Sequence, residues 1–218
     1  MDNILAIYKP KGWTSHDVIA KLRSVTKIKR IGHAGTLDPL AEGVLVIGIG
    51  REATKLLNIH LQKEKEYEAT IQLGETSTTE DAEGEKTKIK VTVPPKINEV
   101  QQVLKSFVGT IEQIPPIYSS IKVAGKRAYK YARKGKVVEM KPRIITIHSI
   151  ELLSYQWPQI SIRVKTNAGV YIRSLARDIG EKLKTGGYLF SLKRTRVGEF
   201  DLSKTRSIEE FTKDFLKT

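Results

Sequence analysis

Residues 32–45 read Gly-His-Ala-Gly-Thr-Leu-Asp-Pro-Leu-Ala-Glu-Gly-Val-Leu and run into Val44-Leu-Val-Ile-Gly-Ile-Gly50. The second stretch is a continuous apolar run of strand length, the pattern of a strand buried on both faces. The first is Gly-rich and stopped by Pro39, so it is a loop feeding that strand. It carries Asp38 on irregular backbone at an element end, where function concentrates. Taken alone, Leu-Asp-Pro is a turn, because Asp hydrogen-bonds its own backbone and Pro fixes φ. Gly48-Ile-Gly50 is not a dinucleotide fingerprint, since the third glycine and a correctly spaced acidic residue are missing.

Upstream, residues 3–8 predict a strand, Lys9-Pro10-Lys11-Gly12 a turn, and Thr14 with Asp17 a capping box. The helix it opens places Val18, Ile19, Leu22 and Val25 on one face, leaving Lys21, Arg23, Lys27, Lys29 and Arg30 for water or a phosphate backbone. Downstream, a second helix turns Ala53, Leu56 and Leu57 inward. Residues 66–73 alternate, which puts Tyr67, Ala69, Ile71 and Leu73 on one face. Glu75 to Glu85 holds five acidic residues among Thr, Ser and Gly and reads as a solvated loop without chemistry. A strand near 89–93 ends at Pro94-Pro95, and a helix with Val100, Val103, Leu104 and Phe107 inward stops at Gly109. Alternating strands near 143–153 and 160–166 precede a helix that buries Leu175, Ala176, Ile179 and Leu183 while Arg173 and Arg177 share another face. A last short helix turns Ile208, Phe211 and Phe215 inward.

With 38 Lys+Arg against 24 Asp+Glu, the net charge is +14, so a polyanion is the first partner to consider. No apolar run approaches the ~20 residues that span a bilayer, and the N-terminus lacks signal-peptide order, which predicts a soluble cytoplasmic protein. Zero cysteines exclude thiol nucleophiles and Cys-type zinc sites. The four histidines (His16, His33, His60, His148) are too dispersed for a helical ligand motif, so no metal is expected. From 122 to 143 there are nine basic residues to one acidic, with Tyr129 and Tyr131 interleaved and Tyr118 upstream. Basic groups hold phosphates and tyrosine rings accept unpaired bases, although a solvated basic helix would carry the same composition.

The loop string Gly-His-Ala-Gly-Thr-Leu-Asp-Pro-Leu-Ala-Glu-Gly resembles the catalytic loop of the bacterial tRNA pseudouridine-55 synthases, the TruB family. Other motifs follow in the family's order. Lys9-Pro-Lys-Gly12 resembles its N-terminal motif, Glu66-Tyr-Glu68 its tyrosine motif, and Gln113-Ile-Pro-Pro-Ile-Tyr-Ser-Ser-Ile-Lys122 the start of its RNA-gripping insertion. Gly169-Val-Tyr-Ile-Arg-Ser-Leu175 resembles its arginine motif and Leu192-Lys-Arg-Thr-Arg-Val-Gly198 its closing strand. The resemblance implies an α+β fold, a mixed and mainly antiparallel central sheet flanked by helices. It implies one catalytic domain over 1–218, with a basic insertion at about 118–143 and a tail helix at 201–218. The family's usual C-terminal PUA domain leaves no trace in the sequence.

The resemblance also implies the chemistry. Asp38 would be the nucleophile, Arg173 would pair with it, and Tyr67 would stack on the target uracil of tRNA uridine 55, in the T-arm. A base in folded RNA must first leave its stack. His33 would occupy the vacated space, Tyr171 and Leu192 would line the uracil pocket, and Lys9, Lys126, Arg127 and Lys130 would hold RNA. Cofactor, metal and obligatory protein partner are not expected. Two other readings stay open: a non-catalytic RNA binder or folding chaperone of the same fold, and a synthase with a different RNA target.

Overall fold

The computed structural model describes residues 4–119, 121–123, 125–128, 131 and 138–216. Along the chain run β1 (Ile4–Lys9), α1 (Ser15–Thr26), β2 (Ile31–Ala34), β3 (Ala41–Ile49), α2 (Arg51–Leu61) and β4 (Lys65–Leu73). Then come β5 (Glu75–Ser77), β6 (Lys86–Lys88), α3 (Ile97–Lys105), β7 (Gly109–Gln113), β8 (Lys122–Val123) and β9 (Lys126–Arg127). The last third holds β10 (Arg143–Gln156), β11 (Gln159–Thr166), α4 (Ile172–Lys182), β12 (Gly187–Val197), β13 (Phe200–Asp201), β14 (Thr205–Arg206) and α5 (Ile208–Leu216). They form two compact units, one of residues 1–68, 165–168 and 192–218, the other of residues 69–164 and 169–191.

In the first unit β3 is the central strand. It pairs antiparallel with β1 along one edge; along the other it meets β12 in parallel at residues 41–43 and β2 antiparallel at 46–49. Every residue of β3 but Glu42 is buried, as its apolar run requires. On one face Val18, Ile19 and Leu22 of α1 and Ile208 and Phe211 of α5 pack against Ile7, Leu45 and Ile47. Elsewhere Leu57 of α2 packs with Val44, Val46 and Val197. Thr14 caps α1 with both hydrogen bonds of the capping box. The second unit holds β7, β10 and most of β4 and β11, in the order β4-β11-β10-β7, and in it Val100 and Leu104 of α3 and Leu175, Ala176 and Ile179 of α4 are buried.

Several expectations are corrected. The loop before Asp38 begins as a strand, because Ile31-Gly-His-Ala34 completes the open edge of β3. Leu56 and Phe215 are 48% and 39% exposed, so the apolar faces of α2 and α5 are narrower than spacing suggests. The strand near 89–93 lies instead at β6, paired with β5, so the acidic stretch forms a hairpin. The helix before Gly109 ends at Lys105, and Gly109, at φ +112, starts β7. The start of the basic insertion is a two-stranded hairpin, Lys122 opposite Arg127.

Candidate active site

In the first unit Asp38 sits half-buried on the six-residue connection between β2 and β3. The backbone around it is tied at four points. The Ser15 hydroxyl, at the start of α1, accepts from the Leu37 N–H (2.9 Å) and donates to the Leu37 carbonyl (3.0 Å). The Asp38 carbonyl accepts from Ala41 N–H (3.0 Å), and the Pro39 carbonyl from Gly12 N–H (2.8 Å). The Lys9-Pro-Lys-Gly12 turn and the first residue of α1 therefore hold the backbone of the Asp38 loop.

Beneath the loop lies a cationic layer. Arg194 of β12 is 1% exposed, and its guanidinium donates to the carbonyls of Val44 (2.8 Å) and Gly35 (3.0 Å) and acts electrostatically on the Tyr67 hydroxyl. Its backbone crosses Gly43 so closely that a Cβ there would stand 2.3 Å from the Arg194 carbonyl oxygen. The Asp38 charge is felt by Arg194, Lys9 and Tyr67 alike. Burial pushes the Tyr67 phenol above its ordinary pKa, so it is a neutral ring and hydroxyl rather than a preformed phenolate. Burial lowers Lys9 and Lys65 to about 8 each. His33, on β2, is lowered to about 4 by burial and by the charges of His16 and Arg194, which keeps it neutral. Its ring meets His16 edge-on at 6.0 Å, and its buried Nδ1 has no hydrogen-bond partner. Leu192 is buried on β12, two residues before Arg194.

Lys9 corrects an expectation. It is fully buried, and its ammonium donates to the carbonyls of Trp13 (2.5 Å) and Pro10 (3.1 Å), so it closes the turn rather than facing a phosphate. Lys126 and Arg127 are exposed on β9. Lys130, Tyr129, Arg133 and Lys134 lie outside the described residues.

In the second unit Arg173 is 6% exposed near the start of α4, not on a solvated face. Its guanidinium donates to the carbonyls of Tyr118 (2.9 Å) and Thr79 (3.4 Å) and stands 3.6 Å from the buried Asp81 carboxylate. Tyr171 precedes the same helix and is held by a reciprocal amide clamp: its N–H donates to Gln113 Oε1 (2.9 Å), while Gln113 Nε2 donates to its carbonyl (3.1 Å). The structure thus brings Asp38, Tyr67, His33 and Leu192 into one unit and Arg173 and Tyr171 into the other. Sequence reasoning missed Arg194, Ser15, Glu80 and Asp81. Arg194 had a usable signal, since it follows Leu192 at the period of two that marks the inward face. Glu80 and Asp81 had none that separates a buried pair from a solvated acidic loop.

Among solved structures the fold is that of Cbf5-type chains. It matches a chain of a Cbf5-Nop10-Gar1 complex at a TM-score of 0.75, with 28% identity over 97% of this chain and 54% of that one. It matches a chain of an H/ACA RNP bound to a substrate RNA containing 2′-deoxyuridine at 0.72, with 27% identity over 97% and 53%. The chain therefore spans about half the length of those solved chains. The family itself follows from sequence: the chain belongs to the TruB family of pseudouridylate synthases, matching that family's N-terminal domain over residues 23–172. The tRNA pseudouridylate synthase B C-terminal domain matches residues 173–217. A tRNA pseudouridine synthase B of Parabacteroides distasonis is 48% identical over 98% of this chain and 93% of its own length. That of Thermobifida fusca is 42% identical over 98% and 75%.

Proposed function

We propose that the protein converts uridine to pseudouridine in tRNA, at position 55 of the T-loop, with Asp38 as nucleophile. The observation that carries the reading is the Asp38 loop, tied at both flanks and underlain by Arg194 and Tyr67. The reaction breaks the N1–C1′ bond, forms C5–C1′ and moves one proton from C5 to N1. Atoms and electrons balance within the substrate, so a positioned carboxylate meets the chemical demand.

Asp38 attacks either C1′ of the ribose or the uracil ring, and the transient ester is broken when C5–C1′ closes, which returns the free carboxylate. Tyr67 offers its ring to the uracil, with its hydroxyl neutral and next to the Arg194 charge. His33, neutral and with Nδ1 lacking a partner, suits the space a flipped base leaves, since it can donate or accept there without adding charge. By their motifs, Arg173 is assigned to the chemistry of the carboxylate, and Tyr171 and Leu192 to the uracil. Lys126, Arg127 and Lys130 hold phosphates. The setting is the cytoplasm; among the described residues no helix is long and apolar enough to cross a membrane.

The test incubates the protein with unmodified tRNA and maps pseudouridine position by position. Product at position 55 alone is expected, and Asp38→Asn should abolish it while tRNA affinity stays within about threefold. Turnover by Asp38→Asn would overturn the assignment, and product elsewhere in the tRNA would change the target. No added cofactor should be needed, and activity should survive EDTA once tRNA folding is controlled by monovalent salt. A divalent-ion requirement under that control would show that the site is misread.

A further inference from the structure

The acidic hairpin tip carries a second layer behind Arg173. Glu80 holds a left-handed backbone, φ +62, which a non-glycine residue keeps only where its surroundings hold it there. Its N–H donates to the Ser77 carbonyl and its own carbonyl accepts from Leu189 N–H, both at 3.0 Å, so the conformation is fixed from two sides. That geometry turns the carboxylate onto α4. It accepts from Arg177 Nη1 at 2.5 Å and from the Ser174 hydroxyl at 2.9 Å. Its sequence neighbours, Thr79 through its carbonyl and Asp81 through its carboxylate, meet the Arg173 guanidinium. Arg177 in turn donates to the Ile114 carbonyl at 3.0 Å, and Arg173 to that of Tyr118, so the two arginines also fasten the segment that leads into the basic insertion.

We propose that Glu80 is a positioning residue for the reaction, fixing through Arg177 and Ser174 the turn that aims Arg173 and the entry to the insertion. The proposal rests on the assignment of Arg173 to the chemistry under the proposed function. Glu80 acts on a neighbour's geometry, not on substrate, so its loss should slow the chemical step without unfolding the protein. The Arg177 and Glu80 side chains are 22% and 15% exposed, so their pairing is little screened by solvent.

The experiment is single-turnover kinetics with enzyme in saturating excess over unmodified tRNA, beside tRNA binding and thermal melting. Glu80→Gln and Arg177→Met are each expected to lower the rate about tenfold or more, with tRNA affinity within about threefold. The double variant should be no slower than the worse single one, because both remove the same clamp. Ser174→Ala, which deletes one hydrogen bond to the Glu80 carboxylate and leaves the Arg177 pair in place, should slow the step less and serves as the second variant if Glu80→Gln fails to fold. A parental rate in Glu80→Gln, or in Ser174→Ala with Arg177→Met should it not fold, overturns the proposal. Additive losses overturn it too, as does a loss seen only as lower melting temperature or weaker tRNA binding. Asp38→Asn and Arg173→Ala run alongside. If they turn over normally the reading of the site fails; if they are inactive while Glu80→Gln is not, only the clamp fails.

Discussion

Two arginines two residues apart on β12 show how burial, not charge, sets what a residue is worth. Arg194 donates to the Val44 and Gly35 carbonyls, and it also meets the Tyr67 hydroxyl. Arg194→Met withdraws those hydrogen bonds from buried acceptors at about 1–3 kcal/mol each, so a loss of about 3–5 kcal/mol is expected in urea unfolding. Arg196 pairs with Glu66 at 3.3 Å from a side chain 38% exposed, and Arg196→Ala should cost no more than about 1 kcal/mol in the same measurement. Equal losses would show that the Arg194 hydrogen bonds are not what holds β12. The buried lysines give a pH signature with a defined sign. Lys9 and Lys65 fall from 10.5 unfolded to about 8 folded, so between those values the unfolded chain binds more protons. Their contribution is fully present above 10.5 and lost as pH falls through about 8, so stability should rise between pH 8 and about 9.5, below the range where tyrosines ionise. Lys65→Met should remove part of that rise; an unchanged slope in the variant would count against the burial account.

At the level of elements, Gly180 in α4 sets propensity against packing. An alanine there gains roughly 1 kcal/mol of helix propensity. Its Cβ, however, would lie 2.4 Å from the backbone of Gly186 and Gly187, where α4 turns back toward β12. Backbone cannot move aside as a flexible side chain can, so steric overlap wins. Gly180→Ala should destabilise by about 2 kcal/mol or more, checked by denaturant midpoint at unchanged m-value, and a stabilised variant would show that the turn after α4 is free to shift. The elements legible in the sequence are those with a strong local signal: the capping box of α1, the continuous run of β3, the alternation of β4. What escaped was decided by partners distant in the chain. β2 is four residues whose strand state comes from the open edge of β3, and β7 exists because β10 offers it a register. The Asp38 loop was legible from its own composition. Its cationic floor was not, because alternation marks Arg194 as inward without saying that Tyr67 and Gly35 wait there. The acidic hairpin failed for the opposite reason: its composition has a common solvated meaning, overridden here by two arginines on a helix some 90 residues later in the chain.

For the molecule as a whole, a net charge of +14 does not by itself say how tRNA is held. Charge acts on a polyanion in two ways, through the summed field and through individual side chains that displace counterions from the phosphates. Lys9, Lys65, Arg173 and Arg194 contribute to the first but are buried and bonded within the protein, so they cannot reach a phosphate. Lys126 and Arg127 are exposed on β9 and can. Removing one phosphate-binding cation should lower the slope of log affinity against log salt by about 0.7–0.9. Lys126→Ala and Arg127→Ala are therefore expected to flatten the slope by that amount each, and the double variant by about twice as much. Lys65→Met removes the same unit charge from the chain yet should leave the slope unchanged, even if affinity at one salt concentration shifts slightly. The measurement is tRNA affinity across a salt series on the four variants and the parent. If Lys65→Met flattens the slope as much as Lys126→Ala, binding follows the summed field, and the insertion loses its claim to grip the RNA through individually placed cations.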